Sequence, residues 1–492
     1  MNVTRNIVAN FAGAGWNGVI TLLATPVYIS LLGMEGYGLV GFWIFLQMAL
    51  SFLDFGLGPA LVREFAATDN GQLPGAGRRG LLHSLEWVYG VMAFTIIVVM
   101  SSLSDWIANS WLNCQELSPV EVARALMWMS VSLGLQFPCG LYSNGLVGLQ
   151  RQVVLNIIQA AAVAGRHLGG LLILAWTGEM VSFFMFQSIN LLLQGVVTRH
   201  VLGRYLGEEP AGAGKPSFAR LKSVWRFSAG MGVTMIAGVG LSNIDRFYVS
   251  AFLPVTDMGK YTLAATAAAM TQLGIQPFYR AYFPRWSELH QLGRAGELRL
   301  DYFQGCRRLA SVLIPISLSG IIFAPEIFLV WAGQSDGSIV SIFRWLMLGM
   351  AAAGLMWLPA ALQQAKGWTS LHAGMMLGAL GAGVVVMPWA ISRWGVVGAT
   401  VVWILHGSSE LTLGLWLMHR RILRGESRRW CLDVLCAPLL VAALVLGPAV
   451  WLLPAHLGRW TMAAWVVGAT ALALGLSVAY DQLKTVQQKA AT

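Results

Sequence analysis

The chain reads as long apolar runs separated by short polar segments. A helix needs about 20 predominantly apolar residues to cross the hydrocarbon layer. On that requirement the pattern predicts fourteen spans, at approximately 9–32, 37–60, 81–104, 122–146, 153–176, 180–202, 227–252, 260–283, 309–332, 338–362, 370–391, 395–418, 432–453 and 459–479. Open sheet edges cannot be satisfied in lipid, and the runs are too continuous for the alternation of barrel strands, so the elements are helices. The expected fold class is an all-α polytopic membrane protein. The first run follows Arg5 and continues past Pro26 to Leu32, which is long enough to span, so it reads as an uncleaved first helix rather than a signal peptide.

Polar residues inside these runs fall on single helix faces. In the fifth span Asn156, Gln159, Ala162, Arg166 and Gly170 recur at spacings of three and four, which places them on one stripe. The eighth span repeats the pattern with Thr262, Thr266, Ala269, Gln272, Gln276 and Tyr279 and ends at Arg280; the second has Gln47, Ser51, Asp54 and Gly58, and the first Asn6, Asn10, Asn17 and Thr21. In the seventh, Ser242, Asn243, Asp245, Arg246 and Ser250 share an arc of about 160°. Asp245 and Arg246 project roughly 100° apart, so each is offered to a different neighbour. His406 and Glu410 lie four residues apart near the middle of the twelfth span, where a His and a carboxylate on one face hold or pass a proton, or simply pack against each other. Stripes of this kind either knit helices together or line a shared water-filled cavity.

Arg166 is the deepest of the charges, within about two residues of its span centre, a few Å at 1.5 Å per residue. A cation at that depth costs about 2.5–3.5 kcal/mol on insertion scales, so it faces water or a partner rather than lipid. Arg246 lies in the outer half of its span and Arg280 near an inner end, where headgroup anchoring is the alternative for both. A further pattern is an echo: Tyr28, Ser30, Gly36 and Tyr37 align with Tyr248, Ser250, Gly259 and Tyr261 across small insertions, as expected of two related halves.

Composition agrees with the hydropathy. Of 492 residues, 57% are hydrophobic and 11% charged, and the mean hydropathy is +0.64, far from soluble-domain usage. The five cysteines, Cys114, Cys139, Cys306, Cys431 and Cys436, are scattered and mostly within apolar runs, so no structural disulfide is expected. The net charge of +10 sorts by side of the membrane. With the N-terminus inside, all but seven of the 32 basic residues fall on cytoplasmic segments; Arg124, Lys260, Arg344, Arg393 and Arg459 lie at the outer side, and Arg166 and Arg246 within spans. This asymmetry predicts both termini in the cytoplasm, and it makes the charge a topology signal that anionic inner-leaflet lipid favours, with no need for nucleic acid.

The loops are too short for a folded catalytic domain. Residues 203–217, GRYLGEEPAGAGKPS, read as a flexible linker, and 284–308 as a short interfacial helix carrying Trp286, Leu289, Leu292, Leu298 and Phe303. There is no Walker A motif, kinase signature or HEXXH and no paired Cys/His metal spacing, which excludes ATP hydrolysis and a zinc site of those types and leaves no cofactor to expect.

The opening of the chain resembles the Wzx-type lipid-linked oligosaccharide flippases of the multidrug/oligosaccharidyl-lipid/polysaccharide superfamily. The resemblance rests on Pro26 in the first span, Leu32 and Gly33, then Glu35, Tyr37 and Gly38, then Asp54, Phe55, Gly56 and Leu57 followed by Arg63. The second half is similar through Asp245, Gly259, Tyr261, Pro284, Ser287 and Leu289. It implies two pseudo-symmetric six-helix lobes, at 1–202 and 227–430, around a central cavity, a cytoplasmic linker at 203–226, and two added helices with a tail at 431–492. The activity it implies is not enzymatic: transfer of undecaprenyl-pyrophosphate-linked oligosaccharide across the bacterial inner membrane by a monomer, beside a glycan polymerase and chain-length proteins. A pyrophosphate is a bulky polyanion suited to bidentate Arg, and amides suit sugar hydroxyls. The expected substrate-binding residues are therefore Arg166, Arg246, Arg280, Gln159, Asn156, Gln272 and Gln276, with Asp54, Asp245, His406 and Glu410 for ion or proton coupling. The alternatives are a cation-coupled multidrug exporter of the same superfamily and a membrane-embedded glycan polymerase or ligase.

Overall fold

A computed structural model describes residues 3–67, 76–207, 238–454 and 458–490. These residues are almost entirely helical; the only strand-like pairing among them is an isolated bridge between Asn113 and Pro254. Nine helices among them are long and apolar enough to cross a membrane. Two of these, Ala9–Asp54 with 46 residues and Ser370–Ile422 with 53, each exceed twice the length that one crossing needs. The chain is a polytopic helical membrane protein; the number fourteen rests on the hydropathy pattern. It divides into two compact units, Met1–Gly259 and Lys260–Thr492. Most of the expected linker, from 208 onward, lies outside the described residues.

In the first unit, helix α1 (Val3–Leu50) is broken at Gly33, whose φ of 70° and ψ of 177° no residue with a Cβ adopts without strain. The corner falls between the first two expected spans, so the Leu-Gly of the opening motif is the turn that joins them. A second turn follows through Ser51–Asp54, with Phe55 and Gly56 both at positive φ, into α2 (Leu57–Ala67). Asp54 closes it: Oδ2 accepts the backbone N–H of Gly58 at 3.2 Å, as an N-cap does, and Oδ1 accepts the Tyr89 hydroxyl from α3 (Ala76–Ser102). The chain continues through α4 (Pro119–Gly148), whose first turn is capped by Ser118, then α5 (Gln152–Ala164), α6 (Gly170–Thr177), α7 (Met180–Leu206) and a helix α8 over 238–252. Helix α4 packs on α3 and α7, and α1 on α5.

Glu35 holds the loop before α4. Its buried carboxylate accepts the backbone N–H groups of Gln115 and Glu116 at 2.6 and 2.7 Å, giving the loop the partners its own backbone lacks. Burial, and then the neighbouring Glu35, push the Cys114 thiol in this loop up to about 12, so it stays protonated and unreactive at neutral pH.

Gly38 and Gly259 form a close backbone crossing between α1 and the start of α9 (Val255–Gln291). A Cβ on Gly38 would lie 2.0 Å from the Val255 carbonyl oxygen, and one on Gly259 2.3 Å from that of Met34. Backbone cannot retreat as a flexible side chain does. Gly38→Ala is expected to destabilise the purified protein by about 1–3 kcal/mol, the usual range for overpacking. Gly140→Ala, at a position with open space around it, is the control. Equal thermal unfolding midpoints for the two variants would contradict the crossing.

The second unit continues α9 into α10 (Ala295–Ile322), α11 (Ala324–Ala332), α12 (Gly337–Leu355), α13 (Trp357–Ala365), α14 (Ser370–Trp394), α15 (Val401–Ser409), α16 (Leu415–Ile422), α17 (Ala437–Trp451) and α18 (Arg459–Ala490). The interfacial helix expected over 284–308 is instead the meeting of two long helices. Helix α9 runs through Pro277 and Pro284 to Gln291, and the chain turns at Gly293 into α10. Trp286, Leu289, Leu298 and Phe303 are buried in the unit's core with Tyr302 and Trp430, rather than laid on a bilayer surface, while Leu292 at the end of the turn stays exposed. Beside this core, Arg307 of α10 donates from Nε to Oδ1 of Asp481 in α18 at 3.1 Å; the side chains are 1% and 7% exposed.

Candidate functional site

The residues between α5 and α6, Gly165–Gly169, form a π-helical turn, and Arg166 lies within it. One extra residue in the turn leaves a carbonyl without its regular helical partner, a common device at functional positions in membrane helices. Here Gln187 Nε2 of α7 donates to the Arg166 carbonyl at 3.3 Å. The wider turn also rotates the helix face. Before it, the polar stripe meets α1: Asn156 Nδ2 donates to Asn10 Oδ1 at 2.6 Å, and the Trp16 indole donates to the Ala160 carbonyl at 3.1 Å. After it, Gly169 and Gly170 lie against Phe186, Phe183 and Gln187 of α7. The expected single stripe is therefore two faces joined at Arg166. Asn156 is engaged between helices, whereas half-buried Gln159 has no hydrogen-bond partner among the described residues.

The Arg166 side chain is half-buried, with Cys139 and Tyr28 as its electrostatic neighbours, and it has no acidic partner among the described residues. His167, which the sequence pattern did not single out, fixes the turn to α1. Its Nδ1 lies 3.2 Å from the Tyr28 hydroxyl and its Nε2 3.4 Å from Thr21 Oγ1. The only sequence signal for this arrangement was the run of Gly165, Gly169 and Gly170 around two basic residues. A guanidinium held among hydroxyl and thiol groups without a carboxylate is suited to an anion with two adjacent acceptor oxygens.

The other expected residues sit in several places. Asp245 in α8 is buried, and its Oδ1 accepts the backbone N–H of Arg246 at 2.8 Å; the Arg246 guanidinium reaches the Met48 sulfur of α1 at 3.2 Å. Asp54 serves the turn before α2. On α9 in the second unit, Arg280 is exposed and donates to Gln276 Oε1 at 3.2 Å, one turn away, while Gln272 is half-buried.

In the second unit His406 and Glu410 share a cavity of about 230 Å³ with His372, Tyr279, Trp357 and Gln364. Glu410 is 2% exposed and opens another π-helical turn, Glu410–Gly414. Its Oε1 lies 3.2 Å from His372 Nδ1, and the Tyr279 hydroxyl donates to Gln364 Oε1 at 2.7 Å. His406 Nδ1 is buried without a hydrogen-bond partner among the described residues. His372 escaped the sequence reading because it lies on α14, 38 residues from Glu410. No group of three or more His, Cys, Asp or Glu among the described residues has the geometry for a metal ion.

Comparison with known proteins places this architecture. A family model described as polysaccharide biosynthesis protein matches residues 3–290. A Shigella flexneri protein assigned as an O-antigen transporter is 23% identical over 443 residues, covering 85% of this chain and 98% of the relative. Among solved structures, the lipid II flippase MurJ in an inward closed conformation superposes with a TM-score of 0.74 at 11% identity, covering 98% of this chain and 100% of that one. An inward-facing multidrug-resistance MATE transporter of the MOP superfamily gives 0.65 at 16% identity, covering 82% and 94%. These structural likenesses establish a shared transporter fold. With more than half of its length matched by the family model, the chain belongs to the polysaccharide biosynthesis protein family.

Proposed function

We propose that this chain is a Wzx-type flippase of the multidrug/oligosaccharidyl-lipid/polysaccharide superfamily, moving undecaprenyl-pyrophosphate-linked oligosaccharide across the bacterial inner membrane for polysaccharide assembly. It is a transporter, not a catalyst. The observation that carries the reading is Arg166: an arginine inside a membrane helix, presented by a π-helical turn and without an acidic partner among the described residues. Such a cation attracts the pyrophosphate while the prenyl chain stays in lipid. Family membership, the O-antigen transporter relative and the flippase fold support the same substrate class.

In this reading two lobes, 1–202 and 227–430, alternate access to a shared cavity, with 431–492 packed outside and both termini cytoplasmic. The positive-inside pattern supports that orientation. Arg246 and Arg280 are secondary anion contacts, Gln159, Asn156, Gln272 and Gln276 sugar contacts, and a monomer working beside a glycan polymerase and chain-length proteins is the expected assembly. The His372, His406 and Glu410 cavity is the best-supported ion or proton site, with Asp54 and Asp245 behind it because both are engaged by the fold. A buried carboxylate in a cavity also fits a cation-coupled drug exporter.

Reconstitution in vesicles separates these readings. Labelled lipid-linked oligosaccharide is expected to cross in a protein-dependent manner, faster with an imposed proton gradient. Transport of organic cations with no movement of the lipid would establish the exporter instead.

A further inference from the structure

A second cavity, of about 390 Å³, lies wholly within the first unit where α1 and α4 meet α8. Its polar lining comes from Gln47 and Ser51, Gln136, and Ser242 and Asn243, and none of these five side chains is charged. Two polar groups are buried there with nothing to bond among the described residues: the Gln136 Nε2 donor and the Asn243 Oδ1 acceptor. Asn243 is 4% exposed, and its own Nδ2 is already tied to the Val239 carbonyl at 2.8 Å, so the side chain is fixed with its carbonyl oxygen unpartnered. Gln47 and Ser242 likewise have no hydrogen-bond partner among the described residues. Leaving buried amide atoms unpaired is costly, so they mark places where a ligand or water completes the bonding.

The chemistry of the occupant follows from the lining. Uncharged amides and hydroxyls offering both donors and acceptors match a ring carrying several hydroxyls, and the volume lies in the lower part of the roughly 300–1,000 Å³ range of small-molecule sites. An anion would meet no cation in this lining, and an apolar chain would leave the amides unpaired. Arg246 stands one helical turn beyond Ser242 and Asn243, and its guanidinium contacts Met48, which also lines the cavity. We infer that Gln47, Gln136, Ser242 and Asn243 form a neutral saccharide subsite, which receives a sugar of the translocated headgroup beside Arg246. This rests on the flippase reading and adds which part of the cargo is recognised, and where.

The test uses the full-length protein in vesicles with two probes: lipid-linked oligosaccharide extracted from cells that carry this chain, and undecaprenyl pyrophosphate without sugar. The wild type is expected to bind the glycosylated lipid at least tenfold more tightly. The variants Asn243→Leu and Gln136→Leu are expected to lose that preference and bind both lipids as the wild type binds the bare one. Gln47→Met, at a half-buried position, gives the same readout if either buried substitution prevents folding. Variants that keep the wild-type preference overturn the subsite while leaving the flippase reading intact. A wild type that binds and moves neither lipid overturns both.

Discussion

Arg166→Ala is expected to lower translocation of lipid-linked oligosaccharide at least a hundredfold while leaving the amount of folded protein unchanged or raised. A hydrogen bond to a charged group contributes about 1.5–3 kcal/mol, and bidentate pairing with a pyrophosphate supplies two. A hundredfold loss corresponds to about 2.7 kcal/mol, less than that pair offers at its upper end. The opposite sign is expected for stability, because an arginine deep in the bilayer costs about 2.5–3.5 kcal/mol on insertion scales and this one has no carboxylate among the described residues to offset it. The sign distinguishes a binding role from a structural one: an arginine holding helices together would take the unfolding midpoint down with it. Arg166→Lys keeps the charge but loses the planar fork, and a residual rate roughly tenfold below wild type is expected. Surface glycan in cells and initial rates in vesicles, each normalised to protein level, give the readout. Full transport by the Ala variant removes Arg166 from the site.

The second large effect concerns stability alone. Asp481→Ala is expected to destabilise the protein by about 3–5 kcal/mol, the range for breaking a buried ion pair by removing one partner. Asp481 holds Arg307 at 3.1 Å and lies 3.8 Å from Arg308 Nε, and the Arg307 side chain is 1% exposed, so the substitution takes a carboxylate from a buried cation rather than from a solvated one. Thr485 Oγ1, 3.4 Å from Arg307 Nη2, is a poor substitute for a carboxylate. Replacing both partners, Arg307→Met with Asp481→Leu, is expected to recover most of the loss, since a buried pair exchanged for apolar groups of similar volume is often close to neutral. Unfolding midpoints of the three proteins in one detergent measure this. A double variant as unstable as the single one would mean that the pair also positions α18.

The helices and their turns were largely legible because the hydrophobic period and the requirement for backbone bonding in lipid leave few alternatives. Gly33 breaks α1 between two expected spans, and Asp54 with Phe55 and Gly56 makes the turn that a motif of acid, aromatic and glycine resembles. The same turn shows what a single sequence leaves open. Asp54 reads as a coupling acid in a polar stripe, and only the Gly58 N–H and the Tyr89 hydroxyl reveal it as a cap. The stripe through Arg166 was traced on a regular helix, and a π-helical turn has no period to announce it; it diverted the stripe from α1 to α7. His372 and Asp481 were missed for a different reason. Each acts on a residue far away in sequence, and nothing in the local spacing of a lone His or Asp points across that distance.

The crossing of Gly38 with Val255 also sets an order on biosynthesis. More than two hundred residues separate the two positions, and at roughly 5–20 residues per second the first unit waits on the order of tens of seconds for the partner of its second helical half. During that interval the surface around Met34 and Gly38 has no mate from the α9 segment and must be held by lipid or by insertion machinery. A fragment ended within 203–226, where a lobe boundary reads naturally from the sequence, would keep that surface open permanently.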